Sequence, residues 1–320
     1  MVDALHTHQN CQTLHTSFIL LITVHTTLLK LTRPLHLLLA ALTYTLGASI
    51  PAYLGKPLSV GIFWLGLTII IFAQLSMFLL AEVFRPQNEP LVENQTPQQK
   101  ETLRNNTLYF SIAALTVTAF IIYLLYISQA LVLSSLREPQ GGAFILLLSS
   151  FLLVILYAIP PMRLLARGFG ELTLAAHIAY VIPSIGFLLQ AKENHRLLIL
   201  IIIPLTALAL AYLLILNFIS YPSDQKYQRA TLLRLLTWER AVPFHHSLIV
   251  LAYLIFAIAP ALGYFILWPA FLTLPFAILQ IILLRHISLG GKPNWILLNV
   301  TALAVFGLTT YFLTLTFWIR

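Results

Sequence analysis

From residue 35 onward the chain is a succession of long apolar runs separated by polar interruptions. Nine runs stand out: His36 to Tyr53, Val60 to Leu80, Thr107 to Ile127, Ala143 to Ile159, Leu172 to Gln190, Leu197 to Ile219, Ser247 to Tyr264, Leu267 to Leu284 and Trp295 to Ile319. A helix needs roughly 20 apolar residues to cross a bilayer. Only helices and closed barrels satisfy every backbone group in lipid, and barrel strands alternate where these runs are continuous. The expected fold is therefore all-α, a polytopic membrane bundle of about nine transmembrane helices. Pro183, Pro204, Pro260, Pro269 and Pro275 lie in or beside the runs and are expected to kink them.

Residues 1–34 read differently. "SFILLITV" is too short to span, and the segment before it lacks the basic start of a signal peptide. Ser17 to Thr32 suits an interfacial helix. His6, His8, Cys11, His15 and His25 are irregularly spaced with only Asp3 nearby, which favours a polar leader over a metal site. The expected division is a leader over 1–34 and one transmembrane domain over 35–320.

Composition supports the membrane reading. The chain is 59% hydrophobic and 9% charged, with a mean hydropathy of +0.90, which excludes an ordinary soluble domain. A single cysteine excludes an intrachain disulfide. The net charge of +8 is read as basic loops facing anionic lipid, with no nucleic acid as partner. With nine spans, thirteen of the 18 Lys and Arg fall on the N-terminal side. That bias predicts a cytoplasmic N-terminus and cytoplasmic long loops in a bacterial-type inner membrane.

On that side two loops are long, Ala81 to Asn106 and Ser220 to His246, four helices apart as two related halves would place them. A third contains "YAIPPMRLLARGFGEL", Tyr157 to Leu172. Arg163, Arg167, Lys226 and Arg229 suit an anionic ligand such as a diphosphate, or serve as topology signals. There is no P-loop, no dinucleotide fingerprint and no nucleophile elbow.

Four segments carry a family resemblance. "LTRPLHLLLAALTYTLGASIPAYLG" looks like an opening Arg-Pro helix, and "EPLVENQTPQQKETLRNNTLYFSIAALTV" resembles a segment reading RPLVSGRxSPRQ. "YAIPPMRLLARGFGEL" is similar to YSxPPLRLKxRGxGEL, and "NFISYPSDQKYQRATLLRLL" to NEFPDYEADKxxGKRTLxVRLG. Together they resemble the UbiA superfamily of intramembrane prenyltransferases, most nearly the members acting on 1,4-dihydroxy-2-naphthoate. The resemblance implies a nine-helix fold and two Asp-rich motifs that hold Mg²⁺ against a prenyl diphosphate. It also implies basic residues on the diphosphate and an apolar tunnel for the isoprenoid tail.

The chain departs from that pattern at the carboxylates. "FLLAEVFRPQNE" stands where the first motif reads NLLNDYFDYRRG, so Phe78 replaces its Asn, Glu82 its first Asp and Arg85 the next. In the second motif Asp224 matches the last Asp, Ser220 replaces the middle one, and Asn217 stands where members have Asn or Glu. Leu165 replaces a Lys. Glu82 and Asp224 remain as the catalytic and Mg-binding candidates, with Glu89 and Glu93 as possible recruits. Phe78, Arg85, Tyr157, Asn217, Ser220 and Tyr221 are the expected cavity lining.

Three readings follow. One is a degenerate homologue that binds an isoprenoid, quinone or pigment tail, or serves as a membrane subunit with protein partners. The second is a divergent, Mg-dependent aromatic prenyltransferase, and the third an unrelated transporter. Structural roles stand beside each candidate: an ion pair of Glu82 with Arg85, an interhelical hydrogen bond at Asn217, a hydrogen-bonded helix contact at His177, interfacial places for His245 and His246, and pairing of Glu171 with Arg167.

Overall fold

The computed structural model describes residues 31–86, 89, 97–133, 141–191, 193 and 195–319. The leader's expected interfacial helix and its His and Cys residues lie almost wholly outside them, as does Glu93. The helices are α1 (Pro34–Tyr53), α2 (Val60–Val83), α3 (Pro97–Leu133), α4 (Gly141–Ala158), α5 (Gly170–Ala176), α6 (Ile182–Ala191), α7 (Arg196–Lys226), α8 (Leu232–Leu236), α9 (Trp238–Ile258), α10 (Leu274–Ser288) and α11 (Trp295–Ile319). A π-helical turn, His177–Val181, joins α5 to α6 into one span. Tight 3-10 stretches at Ala259–Leu262 and Phe265–Thr273 join α9 to α10.

Among the described residues, eight helical segments are long and apolar enough to cross a bilayer, and Gly142–Ala158 is a shorter apolar helix. The fold is an all-α polytopic bundle. Aromatic residues such as Trp64, Phe120, Tyr123, Phe265 and Trp268 stay exposed on its outside. In lipid such a surface is solvated rather than aggregation-prone.

The prolines act in different ways. Pro204 and Pro222 lie inside the unbroken α7, whereas Pro260 and Pro269 sit in the 3-10 stretches and Pro275 in the first turn of α10. Pro183 follows the π-helical turn.

One boundary differs from the sequence reading in a way that shapes the site. The polar stretch from Ser220 was expected to be loop, yet α7 continues to Lys226. The Ser220 hydroxyl donates to Asp224 Oδ2 at 2.6 Å, one turn on. That bond and the basic residue at the C-terminus favour continuation of the helix.

Close packing fixes the bundle. A Cβ on Gly47 would lie 1.9 Å from the Pro183 carbonyl oxygen, and one on Gly186 would lie 2.5 Å from that of Tyr44. Glycine at both positions lets α1 and α6 touch backbone to backbone. The first and last of the described helices, α1 and α11, are also neighbours, and both α11 and α9 pack on α7. Inside, His177 bonds Gln74 Oε1 at 2.8 Å and Ser150 Oγ at 2.7 Å, all three residues buried. His177 is thus a hydrogen-bonded contact linking α2 and α4. His245 is fully buried and lies 2.8 Å from the Gln280 amide.

Candidate functional site

The helices alternate in direction, so α1 and α5 begin at the end of the bundle where α2, α4 and α7 finish. A cavity of about 470 Å³ opens there. On α7 its wall is the stripe Leu213, Leu216, Asn217, Ser220 and Asp224, which is one face at helical spacing. Arg33 and His36 enter from α1, Glu82 from α2 and Tyr157 from α4. Leu174 and Leu165 add apolar wall, so the lining is greasy on one side and charged on the other.

Four arginines and four carboxylates line this space: Arg33, Arg85, Arg163 and Arg229 with Glu82, Glu89, Glu171 and Asp224. Arg33 donates to Glu82 Oε1 at 3.3 Å. Arg85 pairs with Glu82 Oε2, without the alignment of a hydrogen bond, and donates to Glu89. Arg229 donates to the same Glu89 oxygen and, at 3.0 Å, to Asp224 Oδ1. The result is one chain of alternating charge, Glu82–Arg85–Glu89–Arg229–Asp224.

Exposure gives the chain a direction. The Glu82 and Glu89 side chains are 4% exposed and Asp224 3%, while Arg33, Arg85 and Arg229 are 37%, 21% and 33% exposed. The guanidinium groups stand between the acids and water. A buried carboxylate needs such a partner to stay ionised. Burial alone would lower the Arg229 pKa, but its bonds to Glu89 and the charge of Asp224 outweigh this and raise it.

Arg163 stands apart. Its backbone is left-handed (φ 33°, ψ 67°) and its Nε is buried without a hydrogen-bond partner. Among the described residues it makes no ion pair. Burial pulls its pKa below the usual arginine range, with Glu89 opposing, Arg85 adding and Glu82 opposing. Glu171 accepts from Asn217 Nδ2 at 2.8 Å and from the Leu232 N–H at 3.1 Å, not from Arg167.

Of the residues singled out in sequence, Glu82, Arg85, Tyr157, Arg163, Asn217, Ser220, Asp224 and Arg229 meet at this cavity. Phe78, Tyr221, Arg167 and Lys226 do not line it. Phe78 packs beneath His36 with ring centroids 5.6 Å apart, and Tyr221 packs edge-on against Trp238. Arg167 donates to the Pro161 carbonyl at 3.1 Å. Lys226 is two residues past Asp224 on a helix, which turns it away, and its ammonium rests over Tyr227. Arg33, His36, Tyr227 and Gln228 line the cavity without having been singled out. The Arg-Pro start of the first helix was the signal for Arg33.

A Mg²⁺ centre does not fit this donor set. Mg²⁺ demands near-octahedral oxygen ligands. Here both Asp224 oxygens and both Glu82 oxygens already face donors, and Glu89 Oε1 bridges two arginines. Among the described residues no three His, Cys, Asp or Glu side chains gather as a metal site.

No family model and no curated protein matches the sequence. Solved structures do match in shape. A UbiA homologue from Archaeoglobus fulgidus bound to GPP and Mg²⁺ superposes with a TM-score of 0.64 at 17% identity, covering 92% of this chain and 98% of its own. A digeranylgeranylglyceryl phosphate synthase gives 0.60 at 14% identity, covering 93% and 98%. A UbiA homologue from Aeropyrum pernix K1 gives 0.56 at 13% identity, covering 85% and 96%. The fold is that of these proteins over nearly the whole chain.

Proposed function

We propose that this chain is a UbiA-type membrane protein that holds an isoprenoid- or quinone-like amphiphile in the Glu82–Asp224 cavity and does not ionise prenyl diphosphates through Mg²⁺. One observation carries the reading: Glu82, Glu89 and Asp224 are each committed to arginines. In the resembled family such acids hold the metal that neutralises the leaving group. The shared fold, and the GPP seen in one neighbour of that fold, support a ligand with an isoprenoid tail. The cavity's size suits a small amphiphile. The reading places the protein in an inner membrane with the cavity on the cytoplasmic side, where it serves quinone metabolism or a membrane complex.

The divergent transferase keeps one argument. Glu82, Ser220 and Asp224 do converge on a single cavity, and arginines can supply part of a metal's charge. Phosphate analysis separates the two readings. Purified protein in lipid nanodiscs is incubated with farnesyl diphosphate, Mg²⁺ and an aromatic acceptor. The expected result is no diphosphate release above empty discs. Release that requires Mg²⁺ and is lost in Asp224→Ala would establish the transferase instead.

A further inference from the structure

The charges lining the cavity are equal in number, and it is the way they pair that points to a head group. Arg33, Arg85 and Arg229 are matched by Glu82, Glu89 and Asp224 in one connected network. The fourth acid, Glu171, is held by an amide and a backbone N–H. That leaves Arg163 as the one lining arginine without an acidic partner among the described residues. The surrounding backbone is strained. Among the described residues, four non-glycine positions have positive φ: Arg33 at 49°, Arg163 at 33°, Gln228 at 54° and Thr237 at 64°. The first three line this cavity. Such strain costs energy and persists where the surroundings hold a side chain in a required place.

Consider two ligands with the same tail. A diphosphate brings several negative charges, and without a divalent cation Arg163 balances only part of them. The remainder has to draw on Arg33, Arg85 or Arg229, each already paired with a buried carboxylate, which is left less compensated beside the new anion. A singly charged oxyanion asks less. It accepts from the Arg163 guanidinium and leaves the network intact. The tail then lies against Leu165, Leu174, Leu213 and Leu216.

We infer that the cavity selects an amphiphile with a single negative charge on its head, bound by Arg163 without metal, and discriminates against diphosphates. This rests on the reading of the cavity as an amphiphile site and adds the class of head group.

The test compares farnesoic acid with farnesyl diphosphate, matched in tail and different in head. Binding to the protein in nanodiscs is measured by calorimetry, in EDTA and in Mg²⁺. The expected result is that the acid binds at least about tenfold more tightly than the diphosphate and is indifferent to EDTA. Arg163→Gln should weaken the acid roughly ten- to a hundredfold, the range for a charge-assisted bond. Arg163→Lys keeps the charge and should recover part of that loss, which separates charge recognition from misfolding. Tighter diphosphate binding in EDTA would overturn the head-group inference and leave the amphiphile site standing. Tighter diphosphate binding only in Mg²⁺ would overturn both. Binding of neither probe would also overturn both, and acid binding unchanged in Arg163→Gln would overturn the assignment to that residue.

Discussion

Lys226 and Arg229 carry the same charge three residues apart, and the structure gives them different work. Arg229 holds Glu89 and Asp224, whereas Lys226 rests over the Tyr227 ring and does not line the cavity. Arg229→Gln should therefore destabilise the protein by about 1–3 kcal/mol, below the cost for a fully buried pair because the side chain is a third exposed. Lys226→Gln should stay within about 0.5 kcal/mol. Thermal unfolding in detergent, with both variants run beside the parent, measures the contrast. Much of the site is legible at this scale. Glu82 and Asp224 stand out because so few acids interrupt the apolar runs, whereas the place of Ser220 one helical turn from Asp224 emerges only once α7 continues to Lys226. The partners are not legible. Nothing local ties Glu89 to Arg229, which is 140 residues away. Arg167 and Lys226 look like ligand-binding residues until their helix face or carbonyl partner is known.

At the scale of elements, apolar runs locate the helices well and their ends poorly. α7 runs 31 residues, about 46 Å at 1.5 Å per residue, against about 30 Å of hydrocarbon. Its last turns leave the apolar layer, and this is why they contain Ser, Asp and Lys and read as a loop. The π-helical turn at His177 is equally hidden, and so are the contacts of its ring with Gln74 and Ser150 on two other helices. Contact between helices makes a sharper prediction. Gly47→Ala places a methyl group against the Pro183 backbone and should cost about 1–3 kcal/mol, as overpacking does. Gly61→Ala at the exposed start of α2 meets nothing within 4 Å and should be neutral or slightly stabilising. The difference in melting temperature between the two variants tests whether α1 and α6 cross this closely.

For the whole molecule, the feature with most reach is the contact between α1 and α11. The cavity wall is shared between the start of α1 and the end of α7, and α11 packs on both helices. A chain stopped before Trp295 should still enter membranes but should lose farnesoic acid binding and become sensitive to added protease. Calorimetry and limited proteolysis of the truncated protein read this out. The bundle and its fold class were legible in the hydrophobic pattern, but this closure was not, because adjacency of distant helices leaves no periodic mark. Closure also imposes an order in time. A ribosome adds roughly 5–20 residues per second, so the first helix waits on the order of tens of seconds for the last. Late in that interval Arg33 and Asp224 are both made, but the helix that packs on α1 and α7 is not. On the amphiphile reading, a nascent chain is therefore expected to be ligand-blind until α11 has been made and packed on α1 and α7.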